Sequence, residues 1–252
     1  MGYARSFLDE VGEIAHQIDV AAVERVALAI AGVRERGGRM FFVGSGGGAG
    51  HASHAVNDFR KIAGIEAYTP TDNVSELTAR INDDGWETSY VEWLKVSRLG
   101  PDDMLFVFSV GGGDERRGIS VNLVRCVQHA KVVGATVCGI VGRDGGYTAQ
   151  VGDAVIVVPP HRAETVTAQT EGFQAVLWHL LVSHPAVQRT PMKWESVPLR
   201  ARAQSFWTAM ASSMRPSLAP TASRGHQPTW TSSCSCPAQI THVESSRPSG
   251  SY

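Results

Sequence analysis

With 252 residues, 43% of them hydrophobic and 19% charged, the chain is long enough for one sizeable α/β domain with its own core. Lys and Arg number 23 against 24 Asp and Glu, and the resulting net charge of -1 gives no electrostatic footprint for nucleic acid. No apolar run reaches the roughly 20 residues of a membrane helix, the first nine residues lack the apolar stretch of a signal peptide, and four cysteines do not make a disulfide framework, so a soluble, cytoplasmic protein is expected.

Residues 4–36 carry apolar side chains at helical spacing: Phe7, Val11, Ile14 and Ile18, then Val23, Val26, Ala27, Ile30 and Val33. This predicts two helices broken near Asp19, the second ended by Gly37-Gly38. Residues 40–43 read as a short buried strand, 44–50 as a glycine-rich turn and 51–62 as a helix. A second strand is expected at 65–68. Helices follow at 75–82 and 88–97, separated by a turn at Asp83-Asp84-Gly85. A strand at 104–108 leads into a second glycine loop, Gly111-Gly112-Gly113. Then come a helix over 120–133, with Cys126 as a buried thiol, strands at 136–141 (with Cys138) and 154–158, and a long helix over 166–183. Strands alternating with helices imply a doubly wound, mainly parallel sheet flanked by helices, with ligands beyond the carboxyl ends of the strands.

Both glycine loops fall at that end. In the first, Ser45, Gly46, Gly47 and Gly48 precede a helix whose free N–H groups suit an anion. The Gly-Lys-Ser/Thr ending of a P-loop is missing, and a tight strand-to-helix turn is the competing reading. The second loop repeats the design with Ser109 and Gly111, and Ser120 opens the next helix as a candidate N-cap. Asp114-Glu115-Arg116-Arg117 extends this loop. Its arginines could reach a phosphate, or simply be solvated.

Two helices carry imidazole and carboxylate groups. His54 and Asp58 are four residues apart and share a helix face. Glu171 and His179, just over two turns apart, share a face of the otherwise apolar last helix. Brought together, two imidazoles and two carboxylates would suit zinc or a similar metal. The competing reading is two separate pairs that never meet.

Val43-Gly44-Ser45-Gly46-Gly47-Gly48, His54, Asp58, Asn82-Asp83, Ser109, Ser120, Gly142-Arg143-Asp144-Gly145-Gly146 and His179 together resemble the sugar isomerase (SIS) domain family. The likeness is closest to its phosphoheptose isomerases and covers most of residues 4–187. The resemblance implies a flavodoxin-like SIS domain and a homotetramer whose interface uses the N-terminal helix pair. It also implies a zinc-type metal site on His54, Asp58, Glu171 and His179. Sugar-phosphate binding falls to Ser45, Gly46, Gly47, Gly48, Asn82, Asp83, Ser109, Gly111 and Ser120. The implied reaction is aldose–ketose isomerisation of sedoheptulose 7-phosphate to D-glycero-D-manno-heptose 7-phosphate through an enediol. Asp58 or Glu171 would be the base and His179 the proton shuttle. The chain departs from the family at Asp58 (usually Glu), Glu171 (usually Gln), Ser45 and Gly48, and in its longer second loop, where Arg116 and Arg117 could replace lost hydroxyls. Alternatives are an isomerase of another sugar phosphate, or a non-catalytic SIS-domain sensor or protein-binding tetramer.

The organisation expected is a domain over 1–198 and a disordered tail over 199–252, rich in Ser, Pro and Thr and without periodicity. Cys234 and Cys236 lie there with no second pair to complete a zinc site. Back-translated and shifted by two bases, residues 204–214 can read Leu-Asp-Arg-Asp-Gly-Val-Val-Asn, which resembles the nucleophile motif of haloacid-dehalogenase-type phosphatases. Cys234 to Ala238 can similarly read Leu-Leu-Pro-Gly. The tail is therefore expected to be an out-of-frame remnant of such a domain, with chance in a permissive back-translation as the competing reading.

Overall fold

A computed structural model describes residues 2–190. The tail over 199–252, with Cys234, Cys236 and the out-of-frame phosphatase reading, lies outside the described residues, as does the boundary at 198. Helices α1 (Tyr3–Gln17) and α2 (Val20–Glu35) come first. Asp19 separates them by capping α2, its carboxylate accepting from the Ala21 N–H at 2.9 Å. There follow β1 (Met40–Gly44), α3 (Gly47–Asp58), β2 (Ala67–Tyr68), α4 (Val74–Asp84), α5 (Trp86–Val96) and β3 (Met104–Ser109). The remaining elements are α6 (Val121–Val133), β4 (Thr136–Val141), α7 (Gly146–Val151), β5 (Ala154–Val157) and α8 (Val166–Ser183).

All strand pairs are parallel, in the order β2-β1-β3-β4-β5. The order reverses direction between β1 and β3, so a crevice opens beyond the carboxyl ends of those two strands. Side-chain alternation builds two cores. Met40, Phe42, Phe106, Phe108 and Ile140 face α1, α2, α3 and α8, joining Ile14, Val26, Ile30, Phe59, Phe173 and Trp178. Phe41, Val43, Leu105, Val107 and Val137 face the other way, onto α5 and α6, joining Tyr90, Leu94, Leu123 and Val127. Both faces are covered, which is why the strands read as continuous apolar runs. Cys126 and Cys138 are buried free thiols, and burial pushes the Cys138 thiol up to about 12. No helix among the described residues is long and apolar enough to cross a membrane.

Local structure departs from the expectations in five places, one being that α4 runs on through Asp83 and Asp84, so that Gly85 alone separates it from α5. The helix after β1 starts at Gly47, inside the glycine run, so the turn itself is only Ser45-Gly46, with Gly46 at φ 59°. A Cβ on Gly48 would stand 2.7 Å from the Phe108 carbonyl oxygen, so the missing side chain lets α3 lie directly on β3. After Asp58 the helix widens into a π-turn, Phe59–Ala63, closed by the left-handed Gly64. The second strand shrinks to the two-residue edge pairing of Ala67 and Tyr68 with β1. The short helix α7 occupies a stretch between two strands to which the sequence assigns no element: its Tyr147 and Thr148 N–H groups donate to the carbonyls of Gly113 and Gly112.

Candidate active site

The crevice at the switch point is a cleft of about 820 Å³. It is lined by Ser45 from the first loop, by Ser109, Gly111, Arg116, Arg117 and Ser120 from the second, and by Arg143 after β4. Tyr90, on α5, fixes the end of β1 by donating to the Gly44 carbonyl at 3.0 Å, and its burial pushes the phenol up to about 12, so it remains a donor. The second loop closes on itself as a small hairpin, with Asp114 and Ile119 exchanging two main-chain hydrogen bonds of 2.9 Å.

The hairpin acids are spoken for. Arg117 pairs with Asp114 at 3.3 Å and Arg125 with Glu115 at 2.8 Å. Arg116 and Arg143 have no carboxylate partner among the described residues. Ser120 stands at the N-cap position of α6 but makes no side-chain capping bond, contrary to expectation. It sits at φ 50°, and only its carbonyl serves the helix, accepting from Leu123 and Val124. Its hydroxyl is therefore left over at the cleft wall. Of the three non-glycine residues with positive φ among the described residues, Arg98, Ser120 and Arg143, two line this cleft.

A second group of polar side chains forms where α3 crosses α8. His54, Asp58 and His179 each bring one ligand atom within 4.8 Å of the others. The Asp58 Oδ2 lies 3.8 Å from His54 Nε2 and 3.9 Å from His179 Nε2. Two neighbours orient these donors. Asn57 Nδ2 donates to Asp58 Oδ1 at 2.7 Å, leaving Oδ2 for the imidazoles. His179 Nδ1 is 2.7 Å from the Ala175 carbonyl oxygen, which can only accept, so Nδ1 is the donor there and Nε2 is the nitrogen turned toward Asp58. Asp58 is nearly buried, its side chain 13% exposed, while those of His54 and His179 are 58% and 46% exposed, so one side stays open. Two nitrogens and an oxygen with an open position match the donor set of a catalytic zinc-type site.

Glu171 does not belong to this group. Its carboxylate lies over the first turn of α3, 2.5 Å from where a Cβ on Gly47 would be. There it faces the positive end of the helix. His51 is near it. Desolvation lowers the His51 pKa, partly offset by the Glu171 charge. Thr167, one turn before Glu171 on α8, reaches the cleft wall, whereas Glu171, His54, Asp58 and His179 do not line it. Gly46, Gly47 and Gly48 also fall outside the cleft lining, as does the Asn82-Asp83 pair. Those two residues are exposed in the last turn of α4 and bonded to each other at 2.8 Å.

Two residues at the site carry no role in the sequence reading. Arg143 is visible in the Gly-Arg-Asp-Gly-Gly run following a strand, the usual place for ligand contacts. Asn122, two residues after Ser120, is buried and donates to Ser45 Oγ at 3.1 Å. Nothing in its helical context marks it.

No protein-family model matches the chain. The lincomycin biosynthesis protein LmbN of Streptomyces lincolnensis is 29% identical over 191 residues, 71% of this chain and 68% of that one. A phosphoheptose isomerase of Rhodospirillum rubrum is 31% identical over 167 residues, 64% of this chain and 82% of that one. Among solved structures, the phosphoheptose isomerase of Neisseria gonorrhoeae superposes with a TM-score of 0.62 over 71% of this chain and 95% of its own, at 22% identity. With the parallel sheet in flavodoxin order and a relative covered this fully, the chain belongs to the phosphoheptose isomerase family of SIS-domain proteins and is an isomerase.

Proposed function

We propose that the protein interconverts sedoheptulose 7-phosphate and D-glycero-D-manno-heptose 7-phosphate, with zinc held by His54, Asp58 and His179. The observation that carries this reading is the convergence of those three donors from α3 and α8, together with a cleft walled by serine hydroxyls and by Arg116 and Arg143, which have no carboxylate partner among the described residues. Ser45, Ser109 and Ser120 bind the phosphate, and Arg143 and Arg116 compensate its charge.

Of the two candidate carboxylates, Asp58 is committed to Asn57 and the imidazoles, which suits a ligand. Glu171 stands apart from them, next to the first loop, which suits a base. Glu171 takes the proton from the hydroxyl-bearing carbon next to the carbonyl, giving an enediol, and returns it to the neighbouring carbon. One hydroxyl proton moves between the two oxygens, so no atom is gained or lost. Because His179 Nδ1 is tied to Ala175, only Nε2 is available, and it serves as ligand rather than shuttle. When bound, zinc supplies positive charge that polarises the carbonyl.

Apolar side chains exposed on the N-terminal helices, Tyr3 and Leu8 on α1 with Val20 and Leu28 on α2, support assembly into a homotetramer. The test is aldose formation from sedoheptulose 7-phosphate by the purified protein, with chelator and with added zinc. Turnover lost to chelator and restored by zinc is expected, and zinc-independent turnover would remove the metal from the reaction. The hairpin and its arginines, in place of a serine-rich loop, favour one second reading, isomerisation of another sugar phosphate. Profiling five- to eight-carbon substrates separates the two.

A further inference from the structure

The side-chain amide of Asn122 is fully buried, at 0% exposure, and only half of it is used. Its Nδ2 donates to Ser45 Oγ across 77 residues of chain, from the first turn of α6 to the end of β1. Its Oδ1 has no hydrogen-bond partner among the described residues. A buried acceptor without a partner is costly, and it stands beside Ser120, a non-glycine residue at φ 50°. Strain and an orphaned polar atom at one strand-to-helix junction mark a place kept for something other than stability.

A serine hydroxyl has one proton and two lone pairs. With a lone pair of Ser45 Oγ occupied by the Asn122 N–H, its own proton is left for another acceptor, and Ser45 lines the cleft. Ser109 repeats the arrangement: its Oγ accepts from the Gly112 N–H at 3.0 Å, so its proton is spare as well. Two hydroxyls on opposite loops are thus loaded from behind by N–H donors and left to donate forward.

We propose that Asn122 is a positioning residue for anion recognition: by donating to Ser45 Oγ it turns the Ser45 proton into the cleft, toward a phosphate oxygen of the substrate. This rests on reading the cleft as the phosphate site. It accounts for the residue type. An aspartate at position 122 would accept the Ser45 proton and withdraw it from the cleft, and an apolar residue would leave the hydroxyl free to rotate.

The experiment measures inorganic phosphate binding by calorimetry on the full chain, alongside KM and kcat for the sugar phosphate. Asn122→Asp should weaken phosphate binding and raise KM by roughly ten- to a hundredfold, with kcat little changed. Asn122→Ala, the safer variant for folding, should weaken binding by about three- to tenfold, and that effect should vanish in a Ser45→Ala background. Wild-type affinity in Asn122→Asp would overturn the proposal, because it would make the amide an acceptor from Ser45. A full-sized Asn122→Ala effect in the Ser45→Ala background would overturn it too, because the residue would then not act through Ser45. A wild-type protein that turns over sugar phosphate but binds no inorganic phosphate would refute the donor role alone. Absence of both would overturn the phosphate reading of the cleft, and this proposal with it.

Discussion

The two ends of the sheet are built from the same alternation of strand and helix, yet they are finished differently. At the amino end, Asp103 sits just before β3 and Arg39 just before β1. Asp103 accepts from the Arg39 N–H at 2.8 Å, from its Nη2 at 2.7 Å and from the Gly100 N–H at 2.9 Å. The Arg39 guanidinium also donates to the carbonyls of Ser97 and Arg98. Even the left-handed Arg98 there is tied in by that contact. At the carboxyl end, Ser120 and Arg143 also have positive φ; the Ser120 carbonyl is held by Leu123 and Val124 but its side chain caps nothing, and, among the described residues, Asn122 Oδ1 is orphaned and Arg116 and Arg143 lack carboxylate partners. Polar groups at one end satisfy each other, while those at the other end are the ones that, in the proposed function, meet the phosphate. The first arrangement locks the strands, and the second gives up stability for binding.

Mutations at the two ends should therefore separate activity from stability. The largest effect is expected at the carboxyl end. His179→Ala and Glu171→Gln should each lower kcat by about a thousandfold or more with the circular dichroism unchanged. Bound zinc, measured by elemental analysis, should fall only in His179→Ala. Loss of zinc in Glu171→Gln would make Glu171 a ligand after all. Arg143→Gln comes next, with KM rising roughly ten- to thirtyfold at nearly constant kcat and a weaker dependence of KM on salt.

At the amino end the expectation reverses. Asp103→Asn should cost about 2–4 kcal/mol in chemical denaturation, because it leaves the Arg39 guanidinium part-buried beside a neutral amide, and should keep kcat/KM near wild type at 25 °C. A large loss of activity there would mean that the two ends are coupled. The smallest effect concerns Glu10, buried on α1. Burial alone would raise its pKa, but hydrogen bonds from Arg162 and Thr165 outweigh that and hold it below the usual value of 4.5. A carboxyl with a lowered folded pKa contributes stability above its unfolded pKa and loses it as pH falls through the folded one. Glu10→Gln should thus narrow the stability gap to wild type as the pH is lowered below about 4.5, read from melting temperatures across that range.

The sheet was legible because its strands are buried on both faces. Runs such as Met40-Phe41-Phe42-Val43 admit few other assignments. The meeting of His54, Asp58 and His179 was legible as a possibility, since helical spacing sets which side chains share a face. Spacing says nothing of the angle at which two helices cross, and that is why Glu171 lands on Gly47 instead of joining the others. Asn82 and Asp83 were weighed as part of the site, but α4 continues through them and leaves them in solvent. Helix α7 is six residues long, too short for a periodic signal. Asn122 acts by a contact 77 positions away, which no local pattern encodes.

The Asp114–Ile119 hairpin ties off its own base with two main-chain bonds, so β3 and α6 enter and leave it at the same points whatever lies between. Its tip can lengthen, shorten or change charge without moving the sheet beneath. That makes the loop an exchangeable part: grafting hairpins of different size and charge onto this scaffold is a route to altering which sugar phosphate enters, while the His54, Asp58 and His179 group between α3 and α8 stays as it is.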